Sequence, residues 1–119
     1  MKDNDIFIIS EITEISKTVI GIILERGYNA VFCFNDIVAV SMYHAVLREG
    51  LRLPACFSLT GFDNSPVLKL LDKQIDTINF SVETLGYEAG KWLRTCIVDR
   101  EYKDLQLKIE GEYIPGETV

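Results

Sequence analysis

The feature that most constrains the fold is a repeated change of period along the chain. Short apolar runs are each followed by apolar residues at helical spacing. Ala30–Phe34 (AVFCF) reads as a buried strand. Asn35-Asp36 directly after it reads as a helix start, because Asn is a favoured N-cap and Asp in the first turn opposes the helix dipole. The spacing predicts a helix to about Glu49, stopped at Gly50, with Val40, Tyr43 and Leu47 along one stripe. Upstream, Ile6–Ile9 has the composition of another buried strand. Ile15, Val19, Ile20, Ile23 and Leu24 then follow at helical spacing, up to Gly27 in the position of a left-handed cap.

The same alternation continues downstream. Phe57–Phe62 (FSLTGF) predicts a third strand and Thr77–Phe80 a fourth. Between them Asp63-Asn64-Ser65-Pro66 forms a turn, with Pro66 opening a short helix through Leu71. Ser81 is placed to cap a long helix in which Leu85, Ala89, Trp92, Leu93 and Cys96 mark a core face. Lys103–Tyr113 alternates Leu105, Leu107 and Ile109 with polar residues, the pattern of a half-exposed edge strand. Glu110–Val119, with Gly111, Pro115 and Gly116, is the least globular part and reads as an extended strand leaving the domain. Strands alternating with helices predict an α/β fold, a three-layer parallel sheet with helices on both faces. No repeat or linker divides the chain, so residues 1–119 form one domain.

Composition narrows the function. The 119 residues carry a net charge of −6, which repels phosphate backbones and argues against direct DNA or RNA binding. The longest apolar run, Val19–Leu24, is broken by Gly21 and too short for a bilayer. Met1–Asp5 leads into only four apolar residues, too few for a secretory signal. Cys33, Cys56 and Cys96 are an odd, widely spaced set, which fits neither a disulfide framework nor a zinc site and suits a reducing, cytoplasmic setting. His44, the single histidine, lies mid-helix with no nucleophile elbow nearby. The expectation is a non-enzyme without metal or cofactor.

Ligands of open parallel sheets bind at the carboxyl ends of the strands. Three successive strand ends carry Asn35, then Asp63 with Asn64, then Phe80 with Ser81. An amide, a carboxylate and an aromatic ring on one edge suit a polyhydroxylated or heterocyclic small molecule. Each also has a purely structural role open to it: Asn35 and Ser81 as helix caps, Asp63 as a turn residue, Phe80 as core.

The wording of these segments resembles the LacI–GalR family of bacterial transcriptional regulators. AVFCFNDIVAVSMYHAVLREGLRLP (Ala30–Pro54) follows that family's apolar strand, Asn-Asp helix start and Arg-Gly-Leu-type turn before a Pro. SLTGFDNSP (Ser58–Pro66) matches its strand ending Gly-(Phe or Tyr)-Asp-(Asn or Asp). DTINFSVETLGYEAGKWL (Asp76–Leu93) matches its Thr-(Ile or Val) strand and Leu-Gly helix. Gly116–Val119 (GETV) is similar to its terminal Arg-Glu-Ser-Thr-type ending.

The resemblance implies the C-terminal lobe of a periplasmic-binding-protein-like (type I) effector-binding domain, with the helix-turn-helix and the N-terminal lobe absent from these residues. It implies effector contacts from Asn35 and Asp63, with Phe80 standing where the family often has a Gln facing the effector. Asp36 would stabilise the helix start, and Asn64 would support the loop. A homodimer would use Val40, Tyr43 and His44 on one helix and Leu68 and Leu71 on the next. DNA would be reached only through the absent N-terminal domain. Two alternatives stay open: a lobe of a sugar-transport solute-binding protein, which shares the fold, and a receiver-like signalling domain. Ser10-Glu11 gives the receiver reading a poor acidic pair, and the unpaired cysteines disfavour an exported protein.

Overall fold

In the computed structural model, which describes residues 5–8, 17–102 and 104–119, the middle of the chain is a parallel strand–helix–strand unit. Helix α1 (Lys17–Glu25) precedes strand β1 (Ala30–Phe32), and α2 (Asp36–Arg48) crosses over to β2 (Ser58–Thr60). β1 and β2 are parallel, with Val31 opposite Leu59. A parallel bridge from Thr60 to Asp76 leads on to β3 (Thr77–Asn79). β4 (Glu112–Ile114) then runs antiparallel to β3, with Ile78 opposite Tyr113. Between β2 and β3, Pro66–Leu70 forms a 3-10 turn opened by the proline, as its fixed φ favours. Helix α3 (Val82–Arg94) passes into a π-helical turn at Thr95–Asp99.

Local chemistry ends the first two helices in the same way. Gly27 and Gly50 have φ of +68° and +71°, the left-handed region that a side chain resists. Tyr28 N–H reaches back to Ile23 O at 3.1 Å, and Leu51 N–H to Val46 O at 3.1 Å, closing the last turn of each helix.

The core lies on one face of the sheet. Ile20 and Ile23 of α1 pack with Ala39, Met42, Tyr43 and Val46 of α2 over Cys33 and Leu59. Phe57, Leu68 and Ile75 close the rim. Successive strand residues face opposite ways, so Phe32 and Phe34 point away from these helices and are 66% and 84% exposed. Among the described residues the helices therefore cover one face of β1. AVFCF behaves as a strand buried on one side only, rather than on both.

Four other expectations are corrected. Residues 6–8 are irregular and exposed, because no neighbouring strand among the described residues takes up their backbone groups (Ile9 and Ile15 lie outside those residues). Leu47 is exposed, and the buried stripe of α2 runs through Ala39, Met42, Tyr43 and Val46 instead. The core face expected on the last helix is uncovered: α3 buries none of its residues, and only Cys96, in the following turn, is enclosed. The edge strand expected over Lys103–Tyr113 is confined to Glu112–Ile114; residues 104–111 are irregular, and Lys103 lies outside the described residues.

The last segment does not leave the domain. Leu59 N–H donates to Thr118 O at 2.7 Å, and Thr118 is fully buried. Helix α3 is what leaves it. The chain measures 59 × 32 × 23 Å with a radius of gyration of 18.2 Å, where a compact domain of this length has about 13.5 Å.

Candidate functional site

Two of the strand ends singled out in the sequence, after β1 and after β2, meet at Asp36, which is fully buried at the start of α2. Its Oδ1 accepts from the Thr77 hydroxyl at 2.7 Å and its Oδ2 from Ser65 N–H at 2.5 Å. Its own N–H donates to Phe62 O at 2.8 Å. One residue thus ties the end of β1 to the loop after β2 and to the start of β3. A Cβ at Gly61 would collide with an Asp36 carboxylate oxygen, which explains the glycine in TGFDN. Asp36 was expected only to support the helix start; it organises the whole edge.

Asn35 caps α2, its Oδ1 accepting from Val38 N–H at 3.0 Å. That leaves its amide nitrogen at the sheet edge. Asp63 and Asn64 both adopt positive φ, +102° and +52°, in a turn whose backbone is pinned on either side. Asp63 N–H donates to Ile78 O at 2.9 Å, and Asn64 N–H to the Thr77 hydroxyl at 3.3 Å. The Asp63 side chain is exposed. A non-glycine residue at φ +102° is strained, and the fixed turn keeps its carboxylate at the rim. Phe80 is half-buried and packs on Phe62, ring centroids 5.3 Å apart and planes tilted by 33°. Ser81 is exposed and caps α3, accepting from Thr84 N–H at 3.1 Å. Asp36 thus ties the Asn35 end of β1 to the loop that holds Asp63, Phe80 joins through its ring contact with Phe62, and Ser81 has a local structural role.

Cys33 lies beneath this edge. Burial, and then the neighbouring Asp36 carboxylate, push its thiol up to about 12, so it stays protonated and unreactive as a core residue.

The residues expected at a dimer interface are divided. Tyr43 and Leu68 sit in the core, 4% and 1% exposed, and have almost no surface to offer a partner. Val40 and Leu71 are half-buried against that core. His44 is exposed, edge-on to Tyr43 at 5.7 Å.

The periplasmic binding protein-like domain matches residues 9–119 of this chain. The chain belongs to that family. Among characterised proteins, this periplasmic-binding-protein-like chain is 28% identical over 96 residues to the HTH-type transcriptional repressor PurR of Vibrio campbellii, covering 81% of this chain and 29% of PurR. Among solved structures it is similar to the transcription regulator CcpA of Lactococcus lactis, with a TM-score of 0.80 and 22% identity over 92% of this chain and 40% of CcpA. It is also similar to the transcriptional regulator CelR in complex with cellobiose, with a TM-score of 0.75 and 21% identity over 86% of this chain and 32% of CelR. The chain spans under a third of the length of the PurR relative it matches. The LacI–GalR resemblance and the periplasmic-binding-protein-like fold stand on these matches, and the receiver alternative falls with them.

One cluster in this periplasmic-binding-protein-like chain went unread in the sequence. Asp76, buried just before β3, accepts from the Tyr113 hydroxyl, from Gly116 N–H at 2.9 Å, and from both Thr118 N–H at 2.9 Å and the Thr118 hydroxyl at 3.1 Å. Burial opposes its charge, but these four donors together hold its carboxyl below the ordinary aspartate value. A Cβ at Gly116 would run into the backbone of residues 74–76. The sole trace in the sequence is the Gly-Glu-Thr ending, whose spacing gives no hint of its partner.

Proposed function

We propose that this chain is the effector-sensing lobe of a LacI/GalR-type transcriptional regulator, binding a small molecule of the carbohydrate or nucleobase class and making no DNA contact itself. The observation that carries this reading is the strand-end edge in which a rim carboxylate (Asp63) and an amide (Asn35) are tied by one buried aspartate and an aromatic ring (Phe80) joins through Phe62. The cellobiose held by the CelR neighbour supports a carbohydrate-sized effector. In the whole regulator the effector bridges this lobe and a second one, and lobe closure resets the spacing of DNA-binding heads across a dimer. The effect is bounded by the effector's differential affinity for the open and closed forms.

In this reading the protein is a cytoplasmic non-enzyme. Asp36 and Asp76 spend their carboxylates on structural hydrogen bonds. Its homodimer uses His44 with the remaining surface of Val40 and Leu71. No helix among the described residues is long and apolar enough to cross a membrane. One lobe offers half a pocket, so calorimetry on this chain is expected to show no micromolar sugar or nucleoside binding.

The DNA upstream of the Met1 codon tests the reading. An in-frame helix-turn-helix followed by a lobe-sized stretch is the expected result. A secretory signal before that stretch would instead make this a lobe of a transport solute-binding protein.

A further inference from the structure

We propose that the seat around Asp76 is also an interaction surface for a second copy of this chain: Glu112–Val119 of one copy docks on the other, and the two copies exchange these segments reciprocally. The proposal is independent of the effector reading and makes no use of the His44 face. It starts from where the segment is held. Leu59 N–H donates to Thr118 O at 2.7 Å, and the Thr118 hydroxyl to Leu59 O at 2.8 Å. Glu117 N–H donates to Gln74 O at 2.8 Å, and the Gly116 and Thr118 N–H groups donate to the Asp76 carboxylate, each at 2.9 Å. Strand β4 adds its pairing with Thr77–Asn79. All of these partners lie at or before Asn79, on the body of the domain.

What joins the segment to that body is loosely built. Asn79 stands opposite Glu112, so residues 80–111 form one excursion from β3 and back. Within it α3 buries none of its residues, and residues 104–111 have no regular structure and are almost all exposed. The seat on a second copy offers the same donors and acceptors, so exchange loses none of the docked segment's bonds. Only the tether changes. A segment tethered through about thirty residues competes for its own seat at an effective concentration of about a millimolar or less. A second copy near that concentration competes on equal terms, and once one segment has crossed, the other crosses within the same pair. Each Asp76 then takes its donors from Tyr113, Gly116 and Thr118 of the other copy. The seat also selects its occupant. A Cβ at Gly116 would lie within 2.6 Å of the backbone of residues 74–76, so glycine must come there, followed two residues later by a side-chain hydroxyl. The Gly-Glu-Thr ending of a second copy meets both demands.

The test is refolding of the 119-residue chain from urea at about 1 mM and at about 5 µM, the first near the effective concentration of the tethered segment and the second far below it. Light scattering is expected to find about half of the protein at twice the 13.5 kDa monomer mass after refolding at the higher concentration, and only monomer after refolding at the lower. Isotope-labelled and unlabelled chains refolded together at the higher concentration are expected to give intermolecular NOEs between Thr118 of one copy and Leu59 of the other. Gly116→Ala is expected to abolish the dimer while the amide signals of α2 stay in place, because its Cβ strikes the seat in either copy. Monomer at both concentrations would overturn the proposal. A dimer without those NOEs would overturn it too, by placing the contact on another face, such as His44 on α2 or the bare side of α3. So would a dimer undiminished by Gly116→Ala. The NOEs are read on the unaltered chain and decide the matter even where that variant does not fold. None of these results bears on the effector reading, which the upstream DNA tests.

Discussion

Helices α2 and α3 have the same length and matching ends but opposite fates. Each is 13 residues long, is capped by a polar side chain, has an acid in its first turn and ends on an arginine. Helix α2 buries Ala39, Met42, Tyr43, Ala45 and Val46, while α3 buries nothing. On α3, Leu85, Trp92 and Leu93 remain 42%, 38% and 51% exposed although they recur at helical spacing on one face. Spacing shows that a face needs cover; it does not show that this chain supplies it. The PurR relative is more than twice as long as this chain, and the match covers 29% of it. The bare face of α3 is the surface a second lobe would cover in the effector-domain reading.

The largest test of this difference is a pair of alanine substitutions. Met42→Ala opens a cavity in the closed core and is expected to cost about 2–5 kcal/mol of unfolding free energy. Leu85→Ala removes a side chain that is already solvated and is expected to change stability by about 0.5 kcal/mol or less. Urea unfolding of both variants is the check. Equal costs would mean that α3 has a partner in solution, and a concentration-dependent midpoint would identify that partner as a second copy.

The next test strikes the link that α2 has and α3 lacks. Asp36 joins α2 to Thr77, a residue 41 positions away, whereas Ser81 bonds only within its own helix turn. Asp36→Asn places an amide N–H₂ against one of two donors, and is expected to cost about 1–3 kcal/mol. It should also broaden the amide signals of Ser65 and Thr77 at the site while leaving those of α3 unchanged. Unchanged Ser65 and Thr77 signals would show that the strand ends hold together without the carboxylate.

Those two links also mark what could be read from the sequence. The caps at Asn35 and Ser81, the proline start at Pro66 and the glycine stops at Gly27 and Gly50 were all legible, because each is settled by residues a few positions apart. So was the gathering of Asn35, Asp63 and Phe80, since parallel strands place their carboxyl ends on one edge. The role of Asp36 as the tie, the clamp at Asp76 and the short register of β4 were not legible. Each depends on partners about 40 residues away, and no spacing rule encodes them. The bare faces of Phe32, Phe34 and α3 were misread for a related reason: apolar pattern reports demand, and among the described residues no element buries them.

Asp76 extends the contrast to the segments beside the two helices. Its folded pKa is lowered, so its contribution to stability is present above its unfolded value of about 3.9 and is lost as pH falls through the folded value. Acid should therefore release the β4 segment from β3 before the α1–α2 core unfolds. Hydrogen exchange is expected to show Thr118 and Leu59 amides losing protection as the pH falls below about 4, ahead of α2 amides. Asp76→Asn should flatten that pH dependence. Simultaneous loss of protection in both regions would show that the clamp and the core are one cooperative unit.

The smallest expected effects come from the two caps, and they separate the helices most cleanly because the chemistry removed is the same. Asn35→Ala and Ser81→Ala each delete one side-chain acceptor for a first-turn N–H, worth about 1 kcal/mol of helix stability. At Asn35 the helix is locked into the core, so the loss must appear in global unfolding, as a lower urea midpoint with unchanged helical circular dichroism before the transition. At Ser81 the helix buries none of its residues, so fraying α3 costs the core little. The urea midpoint should stay in place while the helical signal falls before the transition begins. A midpoint shift for Ser81→Ala equal to that for Asn35→Ala would show that α3 is coupled to the core through contacts absent from this structure.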